Sequence, residues 1–541
     1  MTTLDHASDT LTRDALAVLQ PGFTGTTAPA WLLRTLGDGL VSVGLFGRNI
    51  SSPGQLAALT ARLRAERDDL LVAIDEEGGD VTRLEVGTGS SFPGNLALGA
   101  VDDTDLTRAV AGELARRLAE CGVNFNWAPS ADVNSNPGNP VIGVRSFGSD
   151  PHLVARHTAA YIEGLQGAGV AACAKHFPGH GDTAVDSHHA LPRIDADLAT
   201  LGERELVPFR AAIAAGTKAV MSAHILLPAL DPRLPATLSP HALTGLLRRP
   251  VADGGLGFDG LIVTDGMEMQ AIAATYGIER GSVLAIAAGA DAICVGGGLA
   301  DEDTVLRLRD ALVTAVRTGE LPEERLADAA ARVRALADWT RTHSRPAGPA
   351  ATGPGAAGAP ARAAVPAGTA GADGAAGGTP LTDVGQLAAR RALRVTHGPT
   401  PYQPGAGPVH VAGFTPVANI AVGDETPWGV AAELVRLLPG TATATYGKRD
   451  AEQHGGTELV AKVLADAADR RIVAVVRDAH RHPWMAEALR GLVAARPDTV
   501  VVEMGVPQAP PVGALHIATH GAARVCGLAA AEVIAGRGPA H

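Results

Sequence analysis

Short apolar runs alternate with amphipathic stretches over residues 16–340. The apolar runs are typical of strands buried on both faces, as in a parallel sheet covered by helices. These runs are residues 41–46, 70–74, 123–127, 170–174, 219–222, 261–264 and 292–295. Helical periodicity between them predicts helices at 55–67, 106–121, 153–167, 206–215 and 282–288. This alternation predicts a (β/α)8 barrel, an α/β fold in which residues 16–20 are a candidate for the eighth strand.

The composition of the chain changes after residue 343. Residues 345–379 are almost entirely Ala, Gly, Pro and Thr, a composition that cannot bury a core and predicts a linker. Strand-like and helical patterns then alternate again, with strands predicted at 409–412, 472–476 and 500–503 and helices at 384–395, 430–438, 484–494 and 528–535. The predicted organisation is a barrel at 1–343, a linker at 344–380 and a smaller, sandwich-like α/β layer domain at 381–541.

Charge and composition narrow the classes of partner. The chain has 541 residues and a net charge of -12, which argues against nucleic acid and anionic membranes. No apolar run approaches the roughly 18 residues that cross a bilayer, and the N-terminus lacks a secretory pattern, so we expect a cytoplasmic protein. The four cysteines, at positions 121, 173, 294 and 526, are far apart and predict free thiols.

One loop concentrates the ionisable side chains. Its sequence, Lys175-His-Phe-Pro-Gly-His-Gly-Asp-Thr-Ala-Val-Asp-Ser-His-His189, follows the predicted strand at 170–174. Pro178, Gly179 and Gly181 oppose a helix here. Polar groups on a loop at the end of a buried strand are typical of the active site of a β/α scaffold.

Three interpretations of this loop compete. A solvated polar turn is the ordinary explanation of a single histidine, but it does not suit this density of His and Asp. A metal site is a second interpretation, since His and Asp ligate zinc and iron. A third is acid–base chemistry, in which Asp186 orients His188 across one intervening serine and stabilises its protonated form.

The metal interpretation has a further difficulty elsewhere in the chain. A metal-dependent barrel hydrolase of the amidohydrolase type is expected to carry a His-x-His pair after its first strand. This chain has Phe46-Gly-Arg48 there. We therefore expect neither a metal ion nor another cofactor.

Polar side chains also follow the other predicted strands. Strand ends are followed by Asp75, Asn126, Asp132, Lys175, His176, His224 and Asp265. Because the carboxyl ends of barrel strands meet on one face, these residues are expected to form one site.

Asp265 has two possible roles. It comes directly after an apolar run and before a helical pattern, so it could cap the N-terminus of that helix. A carboxylate at the mouth of a barrel could instead attack the anomeric carbon of a sugar, which is one half of the retaining glycosidase arrangement.

Four motifs together resemble glycoside hydrolase family 3, and within it the β-N-acetylglucosaminidase branch. They are Asp75-Glu-Glu-Gly-Gly79, Asn139-Pro-Val-Ile-Gly-Val-Arg-Ser-Phe-Gly148, Lys175-His-Phe-Pro-Gly-His-Gly-Asp-Thr183 with Asp186-Ser-His188, and Val263-Thr-Asp-Gly-Met267. They occur in the order found in the family, and the resemblance spans roughly residues 16–340. It implies a (β/α)8 barrel and a retaining β-N-acetylhexosaminidase that acts on a small carbohydrate, such as a chito-oligosaccharide or a muropeptide fragment.

The resemblance also implies roles for individual residues. Asp265 is implied to be the nucleophile, His188 the general acid and base, and Asp186 its partner. Sugar hydroxyl contacts are implied for Asp75, Arg145, Lys175 and His176, and further contacts for Arg83, Asp132 and His224. A paired histidine can hold a proton near neutral pH without the strong desolvation that a carboxylic acid would need. The glycines of the loop at 177–189 suggest that it moves when substrate binds.

Two departures from the family pattern change the expectation at the pocket mouth. Glu76 stands where the family has Gln, and Asp80 where it has Arg, so we expect two additional negative charges that alter aglycone preference. A related reaction also stays open. An acid made of His and Asp does not repel phosphate, and the run Gly296-Gly-Gly298 could offer N–H groups to it, so phosphorolysis at the same site is an alternative.

Overall fold

The structure is a computed structural model of the chain. It describes residues 2–187, 190–298, 301–343, 383–405, 407–416, 422 and 425–537. The predicted linker at 344–380 lies outside the described residues. Among the described residues, no helix is both long and apolar enough to cross a membrane.

Residues 2–343 contain eight strands and a surrounding set of helices within their described part. The strands are β1 (Leu19–Pro21), β2 (Ser42–Leu45), β3 (Leu71–Ile74), β4 (Phe125–Asn126), β5 (Ala171–Phe177), β6 (Ala219–Ser222), β7 (Leu261–Thr264) and β8 (Ile293–Val295). The α-helices are α1 (Thr2–Ala17), α2 (Ala30–Asp38), α3 (Pro53–Glu66), α4 (Asn95–Val101), α5 (Thr104–Glu120), α6 (Pro151–Gly167), α7 (Leu198–Thr200), α8 (Leu206–Ala214), α9 (Gln270–Tyr276), α10 (Ile278–Ala288), α11 (Glu302–Arg317) and α12 (Glu323–His343). Shorter 3-10 or π-helical segments are Gly47–Asn49, Gly143–Arg145, Leu201–Glu205, Ala236–Leu238, His241–Arg248 and Val251–Asp253.

The eight strands form the predicted parallel barrel. Strands β2 to β7 pair in sequence order, β1 pairs with β8, and a bridge between Val263 and Ala292 joins β7 to β8. Between β1 and β2, the Gln20 amide donates a hydrogen bond to the Ser42 hydroxyl. The strand that could not be placed securely from the sequence is β1. It overlaps the proposed segment 16–20 but begins at Leu19, because residues 16 and 17 complete helix α1.

Burial on both faces explains the apolar strands. Every residue of β2, β3, β5, β6, β7 and β8 is buried. The apolar side chains of these strands belong to one continuous core that also includes the inner faces of the helices. Such a core fills the barrel and leaves only its carboxyl-end mouth open. Cys173 and Cys294 are buried free thiols within this core, as predicted.

The second part of the chain contains a separate sheet. Its strands are β9 (Arg394–His397), β10 (Val409–Thr415), β11 (Ala442–Gly447), β12 (Arg471–Val476), β13 (Val500–Glu503) and β14 (Leu515–Ala518), in the order β11-β10-β12-β13-β14-β9. All neighbours are parallel except β9, which is an antiparallel edge strand. Its helices are α13 (Asp383–Ala392), α14 (Ala431–Leu437), α15 (Lys448–Ala467), α16 (Pro483–Ala495) and α17 (Arg524–Ile534), with a 3-10 turn at Ala479–Arg481.

Apolar clusters cover both faces of this sheet, so it is the middle layer of the predicted α/β domain. The predicted helix at 384–395 was too long, because α13 ends at Ala392 and residues 394–397 pair with β14. The sequence reading also missed β11, β14 and α15. Strand β11 alternates between exposed and partly buried positions at the sheet edge, which gives only a weak apolar signal.

The two parts are joined by polar contacts at the carboxyl-end face of the barrel. Asp80 accepts a hydrogen bond from the Arg477 guanidinium and another, 2.7 Å long, from the backbone N–H of Ala522. His480 Nε2 lies 2.9 Å from the carbonyl oxygen of Pro137, so the turn at Ala479–Arg481 packs against the barrel. Arg477 follows β12 and Ala522 follows β14, so the carboxyl ends of these two strands face the mouth of the barrel.

Candidate active site

A cavity of about 540 Å³ opens at the carboxyl ends of the barrel strands. Six of the predicted site residues line it: Asp75, Arg83, Arg145, Lys175, His176 and Asp265. Ser187, which lies between the predicted acid pair Asp186 and His188, lines it as well. Phe46, Trp127, Met221 and Cys294 add apolar surface. A concave site with a few convergent polar groups on apolar walls is typical of a small-molecule pocket.

Four charged side chains form a network on one wall of the cavity. Lys175 Nζ lies 2.6 Å from Asp75 Oδ1 and 2.6 Å from Glu77 Oε1. Arg145 donates two hydrogen bonds to Glu77, of 2.7 and 3.0 Å. Asp75 is the most exposed member, with 22% of its side chain accessible, and the other three are almost completely buried. The wall therefore presents both donors and acceptors to a polyhydroxylated ligand.

The network stays charged because each side chain lies beside a partner of opposite charge. Burial alone would raise the pKa of Glu77, but the cations of Arg145 and Lys175 hold it well below its ordinary value. Burial would lower the pKa of Lys175, and the carboxylates of Asp75 and Glu77 raise it instead. Charged donors and acceptors make stronger hydrogen bonds than neutral ones, particularly when water is excluded.

The turn after β3 brings Asp75 and Arg83 to the cavity. The side chain of Asn126 at the end of β4 accepts a hydrogen bond from the backbone N–H of Glu76 and donates one to its carbonyl oxygen, at 3.0 and 2.8 Å. Glu76 Oε2 in turn accepts the backbone N–H groups of Arg83 and Leu84, at 2.7 and 2.8 Å. Asn126 and Glu76 thus fix both ends of the turn.

The two expected negative charges at the pocket mouth are not there. Glu76 is 1% exposed and lies inside the turn, where burial raises its pKa to about 7. Asp80 is buried against Arg477 and the backbone of the second domain. Neither residue lines the cavity, because both side chains are used to hold the turn and the domain interface.

His176 is held by Asp132, which lies behind the cavity wall. Asp132 is completely buried, and its Oδ2 lies 2.7 Å from His176 Nδ1 while its Oδ1 accepts the backbone N–H groups of His176 and His180. Arg145 approaches the other ring nitrogen of His176 at 3.3 Å and can only donate to it. Nδ1 of His176 therefore carries the proton that bonds to Asp132, and Nε2 faces Arg145.

The histidine- and aspartate-rich loop is fastened by a chain of hydrogen bonds around His180. The Thr183 hydroxyl donates to the His180 carbonyl oxygen at 3.0 Å, so its oxygen accepts from Nδ1 of the ring at 2.8 Å. Nε2 is then unprotonated and accepts from the Ser187 hydroxyl at 3.3 Å. Burial lowers the pKa of His180 to about 4, which keeps this ring neutral and the arrangement intact at neutral pH.

Neighbouring elements hold the same loop over the cavity. Asn139 donates to the carbonyl oxygens of His180 and Gly181, at 2.9 and 3.0 Å, which joins two of the sequence motifs. The backbone N–H of Ala271, on the helix that follows Asp265, lies 3.3 Å from the carbonyl oxygen of Ser187. Asp186 is buried at the end of this loop, and His188 lies outside the described residues.

Asp265 lies at the end of β7 and lines the cavity together with Lys175. Its Oδ1 accepts the backbone N–H of Gly266 at 2.8 Å. His224 is completely buried beneath this turn, with Nε2 2.9 Å from the Gly266 carbonyl oxygen and Nδ1 2.9 Å from the Thr237 hydroxyl. His224 and Asp132, both predicted to contact sugar, therefore lie behind the residues that line the cavity.

The opposite wall is built at the ends of β2 and β8. Glu268 Oε1 accepts the backbone N–H groups of Gly296, at 3.0 Å, and of Gly297. Arg48 donates to the carbonyl oxygens of the same two glycines. The N–H groups of Gly296 and Gly297, which the sequence suggested as phosphate ligands, are thus bound to a carboxylate of the chain itself.

Sequence reasoning missed several residues of the site. Glu77 lies two residues after Asp75 in the first motif and was given no role there, and only the fold shows that it joins Lys175 to Arg145. No motif indicated that the second domain reaches the cavity, yet Val422 and Glu425 line it. These two lie on a loop, where hydrophobic periodicity gives no signal.

Within the part of the chain that the structure describes, no group of three or more His, Cys, Asp or Glu side chains is arranged to hold a metal ion. The buried acidic and imidazole groups near the cavity are instead bonded to one another or to a cation, as in the pairs Asp132 with His176 and Glu77 with Arg145.

Three comparisons with known proteins identify relatives of the chain. The family model for the "Glycosyl hydrolase family 3 N terminal domain" matches residues 32–336. A "Beta-hexosaminidase A" of Pseudoalteromonas piscicida is 35% identical over 317 residues, which cover 54% of this chain and 52% of that protein. The chain thus spans about half the length of this relative. A "Beta-hexosaminidase" of Chromobacterium violaceum is 36% identical over 346 residues, covering 62% of this chain and 92% of that protein.

A solved structure resembles both parts of the chain. It is a glycoside hydrolase family 3 β-N-acetylglucosaminidase from Paenibacillus sp. str. FPU-7, 34% identical, with a TM-score of 0.81. The match covers 98% of this chain and 97% of that one. The barrel followed by an α/β domain is therefore an arrangement that a solved relative shares.

Proposed function

The chain belongs to glycoside hydrolase family 3, and from the premise that it is a glycoside hydrolase we propose that it removes terminal β-linked N-acetylhexosamine with retention of configuration. One observation carries this proposal. Asp265 shares a single cavity with the network of Asp75, Lys175 and Arg145, and the loop that leads to His188 borders the same space through Ser187. A carboxylate, a sugar-binding wall and a loop-borne acid are the parts that a retaining glycosidase needs.

In the first step, a carboxylate oxygen of Asp265 attacks the anomeric carbon of the bound sugar. The bond between that carbon and the aglycone oxygen breaks, and His188 donates a proton to the leaving oxygen. Asp186, two residues earlier, stabilises the protonated imidazole before the transfer. The product of this step is a covalent ester between the sugar and Asp265.

In the second step, water takes the place of the aglycone. His188 now removes a proton from the water as its oxygen bonds to the anomeric carbon, and Asp265 leaves as a carboxylate. Two displacements at the same carbon restore the original configuration. Asp75, Arg145, Lys175 and His176 bind sugar hydroxyls, and Arg83 adds a donor from the turn after β3. Their hydrogen bonds can strengthen as the ring flattens toward an oxocarbenium ion.

Asp132 and His224 contribute indirectly in this scheme. Asp132 fixes the orientation of His176 and the backbone of the acid-bearing loop, and His224 supports the Gly266 carbonyl beside the nucleophile. Both side chains are completely buried, so they position other groups and do not touch the sugar.

The substrate class follows from the relatives. Two of them are named β-hexosaminidases and the matching solved structure is named a β-N-acetylglucosaminidase. We assign the same sugar, N-acetylhexosamine at a non-reducing end, to this chain. A chito-oligosaccharide and a muropeptide fragment both present such an end, as expected from the sequence.

Two measurements test the proposal. Proton NMR of the first product formed from an aryl β-N-acetylglucosaminide should show the β-anomer before mutarotation, and the enzyme should prefer this sugar to the matching glucoside. Mass spectrometry of rapidly quenched enzyme should locate the sugar on the peptide that contains Asp265. An α-anomeric first product would rule out retention, and preference for the glucoside would rule out the assigned sugar.

A further inference from the structure

The wall made by Glu268, Gly296 and Gly297 has the construction of an anion-binding site. Two successive backbone N–H groups converge on one carboxylate oxygen, Glu268 Oε1. Convergent N–H groups of this kind form a concavity that binds phosphate and carboxylate in many proteins. Here the anion is supplied by the chain itself.

The surrounding residues are shaped to receive this carboxylate. A Cβ at position 297 would lie 2.7 Å from Glu268 Oε1, so glycine at this position lets the carboxylate reach the amides without a shift of its side chain. Gly296 has φ +149, a conformation that favours glycine, and a Cβ on it would meet the Gly22 backbone at 2.3 Å. The glycine run therefore makes room for the Glu268 side chain.

Positive charge is also present at this wall. Arg48 donates to the carbonyl oxygens of Gly296 and Gly297, and thereby holds the two peptide groups whose N–H atoms face Glu268. Burial lowers the pKa of Arg48, and the nearby carboxylates of Glu268 and Glu425 oppose that shift. Without Glu268, the same place would offer two amides and a guanidinium.

The wall belongs to the reaction cavity. Glu268 and Gly297 line the same space as Asp265, three residues before Glu268 in the chain. Among the described residues, Glu268 Oε2 has no hydrogen-bond partner, so the carboxylate is held through one oxygen only. An acceptor that enters this space meets the negative charge of Glu268 and finds both amides already bonded.

We propose that Glu268 is a specificity-determining residue that makes the site reject inorganic phosphate and accept water during deglycosylation. This inference rests on the proposed covalent intermediate at Asp265. If phosphate were admitted, one of its oxygens would bond to the anomeric carbon as the ester bond to Asp265 breaks. Asp265 would leave as a carboxylate, and the product would be a sugar 1-phosphate in place of the free sugar.

The test compares phosphate binding by the full-length wild type with that of Glu268→Ala and Glu268→Ser. Isothermal titration calorimetry with inorganic phosphate should show binding at least about tenfold tighter in both variants, since each frees two amide donors and removes a repelling charge. Glu268→Ser serves if the alanine variant does not fold. Glu425→Gln is the matched control, because it removes a carboxylate from the same cavity without freeing an amide, and it should not reach this gain.

Product analysis then shows directly whether water or phosphate accepts the sugar from Asp265. Phosphorus NMR of reactions with an aryl N-acetylglucosaminide and phosphate should detect sugar 1-phosphate with the Glu268 variants and only free sugar with the wild type. The proposal is overturned if the wild type forms sugar 1-phosphate, if both variants bind phosphate no more tightly, or if Glu425→Gln gains as much as they do. Failure of the proposed hydrolysis would appear separately, as a wild-type enzyme that leaves the glycoside intact. The phosphate titrations would still measure the affinity of the wall formed by Glu268, Gly296 and Gly297, because they do not depend on turnover.

Discussion

Arg145 and Glu77 form a two-point ion pair on one wall of the cavity, with hydrogen bonds of 2.7 and 3.0 Å between side chains that are 6% and 3% exposed. Lys175 joins the same carboxylate at 2.6 Å. One buried glutamate therefore neutralises two cations that line the cavity, and the geometry of both depends on it.

Glu77→Ala should destabilise the protein by about 3–5 kcal/mol, because it leaves two buried cations without their shared partner. The free energy of unfolding from urea denaturation at neutral pH measures this. Asp105→Ala is the matched control, since Asp105 pairs with Arg108 but 90% of its side chain is exposed, and it should cost less than about 1 kcal/mol. An equal decrease in the free energy of unfolding of the two variants would show that the buried ion pairs of Glu77 stabilise the protein no more than an exposed one.

Asp265→Ala should reduce turnover of an aryl β-N-acetylglucosaminide by several orders of magnitude, because no other group can form the glycosyl ester. Steady-state kinetics measures the loss, and calorimetric binding of free N-acetylglucosamine shows that the pocket is still formed. Asp259→Ala changes an exposed carboxylate just before the same strand and should retain activity. A fully active Asp265→Ala enzyme would remove the nucleophile from the scheme.

His188→Ala should slow substrates with poor leaving groups, such as a chito-oligosaccharide, by about 10²–10⁴-fold. Activated aryl glycosides, whose leaving groups need no proton, should be affected far less in their first step. The kcat/KM values for the two substrate types give the comparison, and the adjacent His189→Ala is the control. Equal losses on both substrates would show that His188 does not protonate the leaving group.

Glu76→Gln should change the pH dependence of stability. The pKa of Glu76 is raised to about 7 from 4.5, so the native state binds this proton more tightly than the unfolded state. The resulting stabilisation is complete below pH 4.5 and is lost as the pH rises through 7. A neutral glutamine avoids the loss, and the variant should exceed the wild type in stability at alkaline pH by about 1–3 kcal/mol.

Urea denaturation at acidic and at alkaline pH tests this prediction. The free energy of unfolding of Glu76→Gln should exceed that of the wild type little or not at all at the acidic pH, and the difference should be larger at the alkaline pH. Glu452→Gln changes a glutamate whose side chain is 62% exposed and should show no such growth. A pH-independent difference for Glu76→Gln would mean that the ionisation of Glu76 is not its cause.

Asp80→Arg should separate the two domains. The substitution places a second guanidinium against Arg477 and removes the acceptor for the Ala522 N–H. We expect two resolved transitions in differential scanning calorimetry and faster proteolytic cleavage between the domains. Asp253→Arg alters an exposed barrel residue to the same degree and should leave the unfolding profile as in the wild type. An unchanged profile for Asp80→Arg would show that this contact does not hold the interface.

The sequence by itself determined the barrel, because a parallel sheet buried on both faces requires uninterrupted apolar strands and these are visible as local runs. It also indicated which polar residues would lie together, since the carboxyl ends of such strands share one face. Asp75, Lys175, His176 and Asp265 could therefore be assigned to one site before their positions were known.

Only the tertiary structure decided how the charges around that site are used. Glu76 and Asp80 look alike as extra acidic residues in the sequence, but one is buried inside a turn and the other bonds to the second domain. The sequence motifs gave no role to Glu77 or Glu268, because their partners, Arg145 and Gly296, lie far away in the chain. Electrostatic roles depend on distance and burial, which the fold sets and which a local pattern of residues does not contain.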